Sequence, residues 1–267
     1  GRDVLCVMPT GGGKSLCYQL PSLVRSGLTL VVSPLIALMK DQEDQLSRLG
    51  LRVAAIHSGL EPAQQRARFE QIGRGEVDLC YVAPERFRSR WFLEMTQRVG
   101  VSILAVDEAH CISEWGHDFR PDYARLGWYR KELGSPPTIA LTATATDIVR
   151  RDIVELLGLR DPAVFVRGYD RPNLRYAVHL AATKADKLAV LARLQDEIAG
   201  SMVVYAATRK SCEEAGEFLQ GRTRHKVAIY HAGMAPEERR IAQDEFMSGR
   251  AQTIVATNAF GMGIDKP

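Results

Sequence analysis

The sequence predicts an α/β protein of two parallel-sheet lobes, the second incomplete at its C-terminus. Three observations predict it. Short apolar, β-branched runs alternate with longer segments of helical periodicity, the pattern of a parallel sheet covered on both faces. A stretch rich in Gly, Pro and Asn, residues 168–173, interrupts the pattern, which then restarts. Residues Thr10-Gly11-Gly12-Gly13-Lys14-Ser15 follow the first apolar run, where a strand turns into a helix.

In the first lobe, residues 1–168, strands are expected at 4–8, 28–33, 52–57, 78–82, 103–107 and 139–142. Helical segments separate most of them, for example 34–49, 62–73 and 146–157. In the second lobe, residues 169–267, the order is strand 174–180, helix 184–198, strand 202–206, helix 210–219, strand 227–230, helix 236–248 and strand 253–256. Four strands are few for such a lobe.

The 267 residues suffice for one large or two ordinary domains. With 46% hydrophobic and 25% charged residues the chain falls in the soluble globular class and outside the fibrous and low-complexity ones. No apolar run reaches the roughly 18 residues of a membrane span, so no membrane association is expected. No leader pattern is seen at Gly1, where the chain starts without Met. A net charge of +3 excludes a basic tail, so any nucleic-acid contact must come from local geometry. Cys6, Cys17, Cys80, Cys111 and Cys212 form no CxxC pair. Cys6, Cys80 and Cys111 lie in or beside apolar runs and read as reduced core residues, without zinc or disulfides, in an intracellular protein.

The glycine triplet carries the first chemical signal. A triphosphate needs many backbone N–H donors converging on it, and Thr10, Gly11, Gly12 and Gly13 offer a turn with almost no side chains in the way. The helix that follows turns its free amides and positive dipole end toward the same point. Lys14 is placed to reach the β- and γ-phosphates, and the Ser15 hydroxyl to ligate Mg²⁺. One departure stands out: Met8 occupies the position where the general pattern has its first Gly.

The second signal is Asp107-Glu108-Ala109-His110 at the end of an apolar strand. In open α/β sheets chemistry gathers at the carboxyl ends of strands. Asp107 is the candidate Mg²⁺ ligand, and Glu108 the candidate that polarises an attacking water. The position of His110 suggests a link from the nucleotide to the rest of the molecule.

Thr10–Ser15, Asp107–His110 and residues 141–146 (LTATAT) resemble motifs I, II and III of superfamily 2 helicases. Residues 32–42 resemble motif Ia of the RecQ DNA helicases, and 111–123 (CISEWGHDFRPDY) the RecQ aromatic-rich loop. Residues 81–86, 170–174, 230–234 and the motif V segment 256–267 fit the same family. The resemblance implies two RecA-like lobes, ATP and Mg²⁺ as cofactors, and a motor that tracks single-stranded DNA 3′ to 5′ and opens duplexes in DNA repair or recombination. Single-stranded and partially duplex DNA are the implied partners.

On that resemblance Ser33, Thr142 and Thr257, at strand ends, are candidate phosphate contacts, although each alone reads as a cap or turn hydroxyl. Trp115 and Phe119, which alone read as core aromatics, become with Arg120 a stacking platform worth about 1–3 kcal/mol per base. Thr142 and Thr144 become a relay of nucleotide state. Gly263 and Asp265 face the nucleotide from the second lobe. Thr208-Arg209-Lys210 resembles motif IV and reads equally as a solvated basic turn.

An adenine-reading glutamine motif before the phosphate loop and an arginine-bearing motif VI after motif V belong to the family pattern and fall outside residues 1–267. The expectation is a piece of a longer helicase, weakly active alone. Two other readings stay open on the sequence: a superfamily 2 RNA helicase, and a module that binds nucleotide or DNA without turnover.

Overall fold

The computed structural model describes residues 1–116, 118–168, 173–260 and 266. The chain divides into two compact units, Gly1–Arg171 and Pro172–Pro267. No helix among the described residues is long and apolar enough to cross a membrane.

The first unit is a seven-stranded sheet in the order β3-β4-β2-β5-β6-β1-β7, with every pairing parallel. Its strands are β1 (Val4–Val7), β2 (Leu28–Val32), β3 (Val53–Ile56), β4 (Leu79–Val82), β5 (Val101–Val106), β6 (Thr138–Thr142) and β7 (Ala163–Val166). Helices α1 (Leu16–Val24) and α2 (Ile36–Arg48) cover one face, where Tyr18, Met39 and Leu46 pack on Val31 and Tyr81. Helices α3 (Pro62–Gly73), α4 (Arg90–Val99), α5 (Leu126–Glu132) and α6 (Asp147–Leu156) cover the other, where Ile72, Phe92, Tyr129 and Ile153 pack on Leu30, Val82 and Leu104. Burial on both faces is why β4 is a continuous apolar run and why β2 is apolar at every position but Thr29. Cys6, Cys80 and Cys111 lie in this core, and burial pushes the Cys80 thiol up to about 12.

All six strands expected in this unit form. The seventh, β7, escapes the reading because it is a four-residue edge strand whose Val164, Phe165 and Val166 stay exposed. A buried ion pair closes the unit. Arg130 Nη2 donates to Asp3 Oδ2 at 2.7 Å, and the same carboxylate accepts the N–H groups of Thr138 (2.9 Å) and Arg160 (2.7 Å).

In the second unit α7 (Lys184–Glu197), α8 (Arg209–Gln220) and α9 (Pro236–Met247) pack on a three-stranded parallel sheet ordered β8 (Met202–Tyr205), β10 (Ala251–Ala256), β9 (Lys226–Tyr230). The expected strand at 174–180 does not form. Its alternation of Leu174, Tyr176, Val178 and Leu180 suits a half-buried strand, yet those side chains stand exposed. A strand requires a neighbour to complete its ladder, and none pairs with this segment among the described residues.

The two units repeat one βαβ module at an offset of 174 residues, as between His57 and His231. Val53, Gly59, Pro62 and Gly75 recur as Val227, Gly233, Pro236 and Gly249. Pairing repeats too: Val53 sits opposite Leu79, and Val227 opposite Thr253. In both copies a histidine follows the strand and its Nδ1 accepts an N–H two residues on, Gly59 at 3.1 Å and Gly233 at 3.2 Å.

Candidate nucleotide site and the loop beside it

Three glycines shape the phosphate loop for two different reasons. Gly11 and Gly13 have φ of 76° and 82°, which side-chain-bearing residues rarely adopt. Gly12 has ordinary φ, but a Cβ there would lie 2.9 Å from the Pro9 carbonyl oxygen, to which its own N–H is bonded at 3.0 Å. Lys14 folds back over this turn, its Nζ 3.3 Å from Met8 O and 3.5 Å from Pro9 O. Ser15 has helical φ and ψ at the cap position of α1, which begins one residue later. Among the described residues no backbone carbonyl accepts the N–H of Gly13, Lys14 or Ser15. Three backbone donors thus stand next to one another in the turn that Lys14 folds over.

The acid pair lies two strands away, since β6 separates β5 from β1. Asp107 is buried. Its N–H continues the ladder to Val32 O (2.9 Å), and its carbonyl accepts the Tyr123 hydroxyl at 2.9 Å. Burial, with the negative charge of Glu108 added, pushes the Asp107 carboxyl up to about 7, against the opposing pull of Lys14. Burial also raises Glu108, again opposed by Lys14. The acids and the loop lysine thus share one electrostatic site. Glu108 adopts the left-handed conformation (φ 47°, ψ 45°), a strain of about 1–2 kcal/mol for a residue with a Cβ. That turn sets Glu108 Oε2 3.3 Å from His110 Nδ1.

His110 Nδ1 lies 2.8 Å from Thr142 Oγ1, and the Thr142 hydroxyl donates to Thr144 O at 3.0 Å. A hydroxyl has one proton, so the proton between His110 and Thr142 belongs to the imidazole Nδ1. The acid motif is therefore wired to the turn after β6.

The segment after His110 is a folded loop with three tethers. Gly116 packs against the His110 carbonyl so closely that any Cβ would collide with it. Ser113 Oγ donates to Asp152 Oδ2 on α6 at 2.5 Å and accepts the Trp115 N–H at 3.2 Å. Arg120 bonds Asp118 Oδ2 at 2.8 and 3.0 Å and the Pro34 carbonyl at 3.2 Å. Arg120 is thus a clamp, its guanidinium edges already committed, and not a free cation of a stacking platform. Trp115 is 77% exposed and Phe119 38%, which removes the core-aromatic reading for Trp115. An open groove of about 650 Å³ brings His110, Trp115, Gly116 and Thr144 together along one wall line.

The other expected residues divide. Ser33 ends β2 and is buried, its N–H bonded to Val82 O at 3.1 Å and its hydroxyl unpartnered among the described residues. Thr142 is fully buried, and Thr257 is buried with its N–H on Tyr230 O at 3.2 Å. All three are buried, so a strand end is not here a surface. Of the four hydroxyl candidates for the DNA-contacting turns, Ser33, Thr142, Thr144 and Thr257, Thr144 is the exposed one. Gly263 and Asp265 lie outside the described residues, as does His117 of the loop.

Sequence reasoning missed four supports. Tyr123 holds the Asp107 carbonyl, and Asp118 and Asp152 hold the loop. Gln19 of α1 donates to Gln42 of α2 at 2.8 Å and to Tyr81 at 3.2 Å, joining the phosphate-loop helix to the helix after β2. The Asp118–Arg120 spacing was a readable signal. The others depend on contacts between segments far apart in sequence.

Residues 1–152 match the family described as DEAD/DEAH box helicase, and residues 183–267 match the helicase conserved C-terminal domain. The chain is 42% identical over 268 residues to the probable ATP-dependent DNA helicase RecS of Bacillus subtilis, covering 100% of this chain and 54% of that protein. It is 41% identical over 266 residues to the ATP-dependent DNA helicase RecQ of Haemophilus influenzae, covering 100% of this chain and 42% of that protein. It therefore spans about half the length of these curated relatives. Among solved structures, the DUF1998 helicase MrfA bound to DNA and AMPPNP superposes with a TM-score of 0.74 at 21% identity, over 100% of this chain and 41% of that one. The Mycobacterium smegmatis helicase Lhr bound to ssDNA and AMP-PNP superposes at 0.70 with 22% identity, over 100% and 39%. Such likenesses show the fold alone.

Proposed function

We propose, for a chain that belongs to the DEAD/DEAH box helicase family and carries a helicase core of the RecQ type, that it forms the motor of an ATP-dependent DNA helicase. The complete protein hydrolyses ATP, tracks single-stranded DNA 3′ to 5′ and separates duplexes in DNA repair or recombination inside the cell. Residues 1–168 act as the ATP-binding lobe and 169–267 as part of the second.

Lys14 and the amides of Gly13–Ser15 bind the β- and γ-phosphates, where hydrogen-bond donors neutralise charge as the γ-phosphoryl departs. Ser15 and Asp107 are the oxygen donors for Mg²⁺, which supplies charge neutralisation at the phosphates. The fit is supported by the Asp107 carboxyl itself: burial makes its anion costly, and a cation beside it offsets that cost. Glu108 orients and deprotonates the attacking water. Trp115 and Phe119 stack bases, with Arg120 holding their loop. Thr144 contacts the strand, Ser33 and Thr257 are buried directly after β2 and β10, and Gly263 and Asp265 are assigned to nucleotide binding.

The observation that carries this reading is the chain Glu108–His110–Thr142–Thr144, which ends in the groove that Trp115 lines. A base on Trp115 shifts the loop that begins at His110, and His110 shares its Nδ1 proton with Thr142 beside the Glu108 carboxylate. The test is ATP turnover by the full-length protein with single-stranded DNA or RNA of equal length. Stimulation by DNA and not by RNA supports the reading. Equal or greater stimulation by RNA replaces it with an RNA helicase.

A further inference from the structure

We propose that the groove between α4 and α5 is a seat for single-stranded nucleic acid, continuing the path that leaves the aromatic loop. This rests on the DNA-tracking reading above. The groove has a volume of about 790 Å³. Its floor is apolar and aromatic: Phe87 and Tyr129 stack at 5.2 Å beside Leu93. Trp128 lines the same groove, 56% exposed, and meets Tyr129 in a T-shaped contact at 5.0 Å.

Its charges are segregated along its length. α4 begins just after β4 and its short 3-10 turn, and α5 begins just after β5 and the aromatic loop, so both helices start at the carboxyl edge of the sheet. Arg88, Arg90 and Arg125 line that end. Glu94 is engaged by Arg90 at 3.0 Å, and Glu132 lies at the far end, where its carbonyl accepts Gln97 Nε2 at 2.6 Å. Arg125 is exposed and pairs with no carboxylate among the described residues. With Arg88 held by Asp122 and Arg90 by Glu94, Arg125 is the cation of this end left to meet a phosphate, and Trp128 beside it suits the base that follows.

Continuity selects nucleic acid over an acidic peptide as the occupant. Arg88 forms two bonds to Asp122, at 2.7 and 2.9 Å, and Asp122 closes the segment that carries Trp115, Phe119 and Arg120. Arg88 thus ties this end of the groove to the end of the aromatic loop, and on the proposed path a strand leaving the loop passes to Arg125 and Trp128.

The test measures binding of the full chain to fluorescent oligothymidylates from about 6 to about 20 nucleotides long, a range that brackets common single-strand site sizes. Wild type is compared with Trp128→Ala and Arg125→Ala, both surface changes. Short oligomers are expected to bind all three proteins alike. Long ones should bind the variants on the order of tenfold more weakly. Arg125→Ala should also reduce the salt slope of long-oligomer binding by about 0.7, one phosphate on a single strand. Equal affinities of wild type and variants at every length overturn the seat while leaving the DNA reading intact. So does displacement of a bound long oligomer by a Glu-rich, Trp-containing peptide from wild type and Trp128→Ala alike. If no oligomer binds the wild type, the DNA-tracking reading fails and the seat fails with it.

Discussion

His110 Nδ1 lies 2.8 Å from Thr142 Oγ1, and this hydrogen bond joins the carboxylate motif after β5 to the turn after β6. Its donor is the imidazole, because Thr142 gives its only proton to Thr144 O. The bond therefore transmits position rather than charge: if His110 moves, the Thr142–Thr144 turn loses its anchor.

Thr142→Val keeps the shape and removes both bonds. Nucleotide affinity should stay within about twofold, while the stimulation of ATP turnover by DNA falls about tenfold, within the 1–3 kcal/mol usual for coupling between sites. Nucleotide titration beside turnover with and without DNA checks this. Loss of nucleotide binding itself would place Thr142 in the nucleotide site instead.

The Asp3–Arg130 pair is 4–5% exposed and its carboxylate accepts three donors. Asp3→Ala leaves a buried guanidinium without its counter-charge, and a loss of about 3–5 kcal/mol of stability is expected in urea unfolding. The double change Asp3→Ala with Arg130→Met should cost less than Asp3→Ala alone, since no stranded charge remains.

His57 gives the first unit an acid sensitivity. Burial, and next Arg68, hold its imidazole below the ordinary value, so the unfolded chain binds the proton that the folded one refuses. Its contribution is complete above the unfolded value of about 6.5 and is lost as pH falls through the folded one. Protonation also removes the Nδ1 acceptor from the Gly59 N–H. His57→Asn supplies a neutral acceptor at that place, so between about pH 7.5 and pH 5 its unfolding free energy should fall less than that of wild type. Parallel slopes would remove His57 as the cause.

The first sheet was readable because its inner strands are buried on both faces and so appear as apolar runs, as in β4. The phosphate loop and the acid pair were readable because each is contiguous in sequence. β7 was missed because its side chains stay exposed, unlike those of β3 at the opposite edge. Residues 174–180 were misread because alternation records a strand's own preference and not whether a neighbour is present to pair with it. Within the site, exposure was the weakest inference. Ser33, Thr142 and Thr257 stand at strand ends as expected, yet they are buried, whereas Trp115 stands exposed despite its size. Arg120 reads as a free cation until Asp118 and Pro34 are folded against it. The repeat of His57 and His231 was legible all along, but only at a fixed offset that hydropathy does not pick out.

As proposed, the motor is a DNA-responsive ATPase whose water is activated by Glu108. Steady-state phosphate release by the full-length protein, with and without single-stranded DNA, tests it most directly when wild type, Lys14→Ala and Glu108→Gln are compared. DNA should raise wild-type turnover, Lys14→Ala should abolish the response, and Glu108→Gln should bind nucleotide while turning over at least about a hundredfold more slowly, the scale of a general base. Turnover by Glu108→Gln at the wild-type rate would contradict the account.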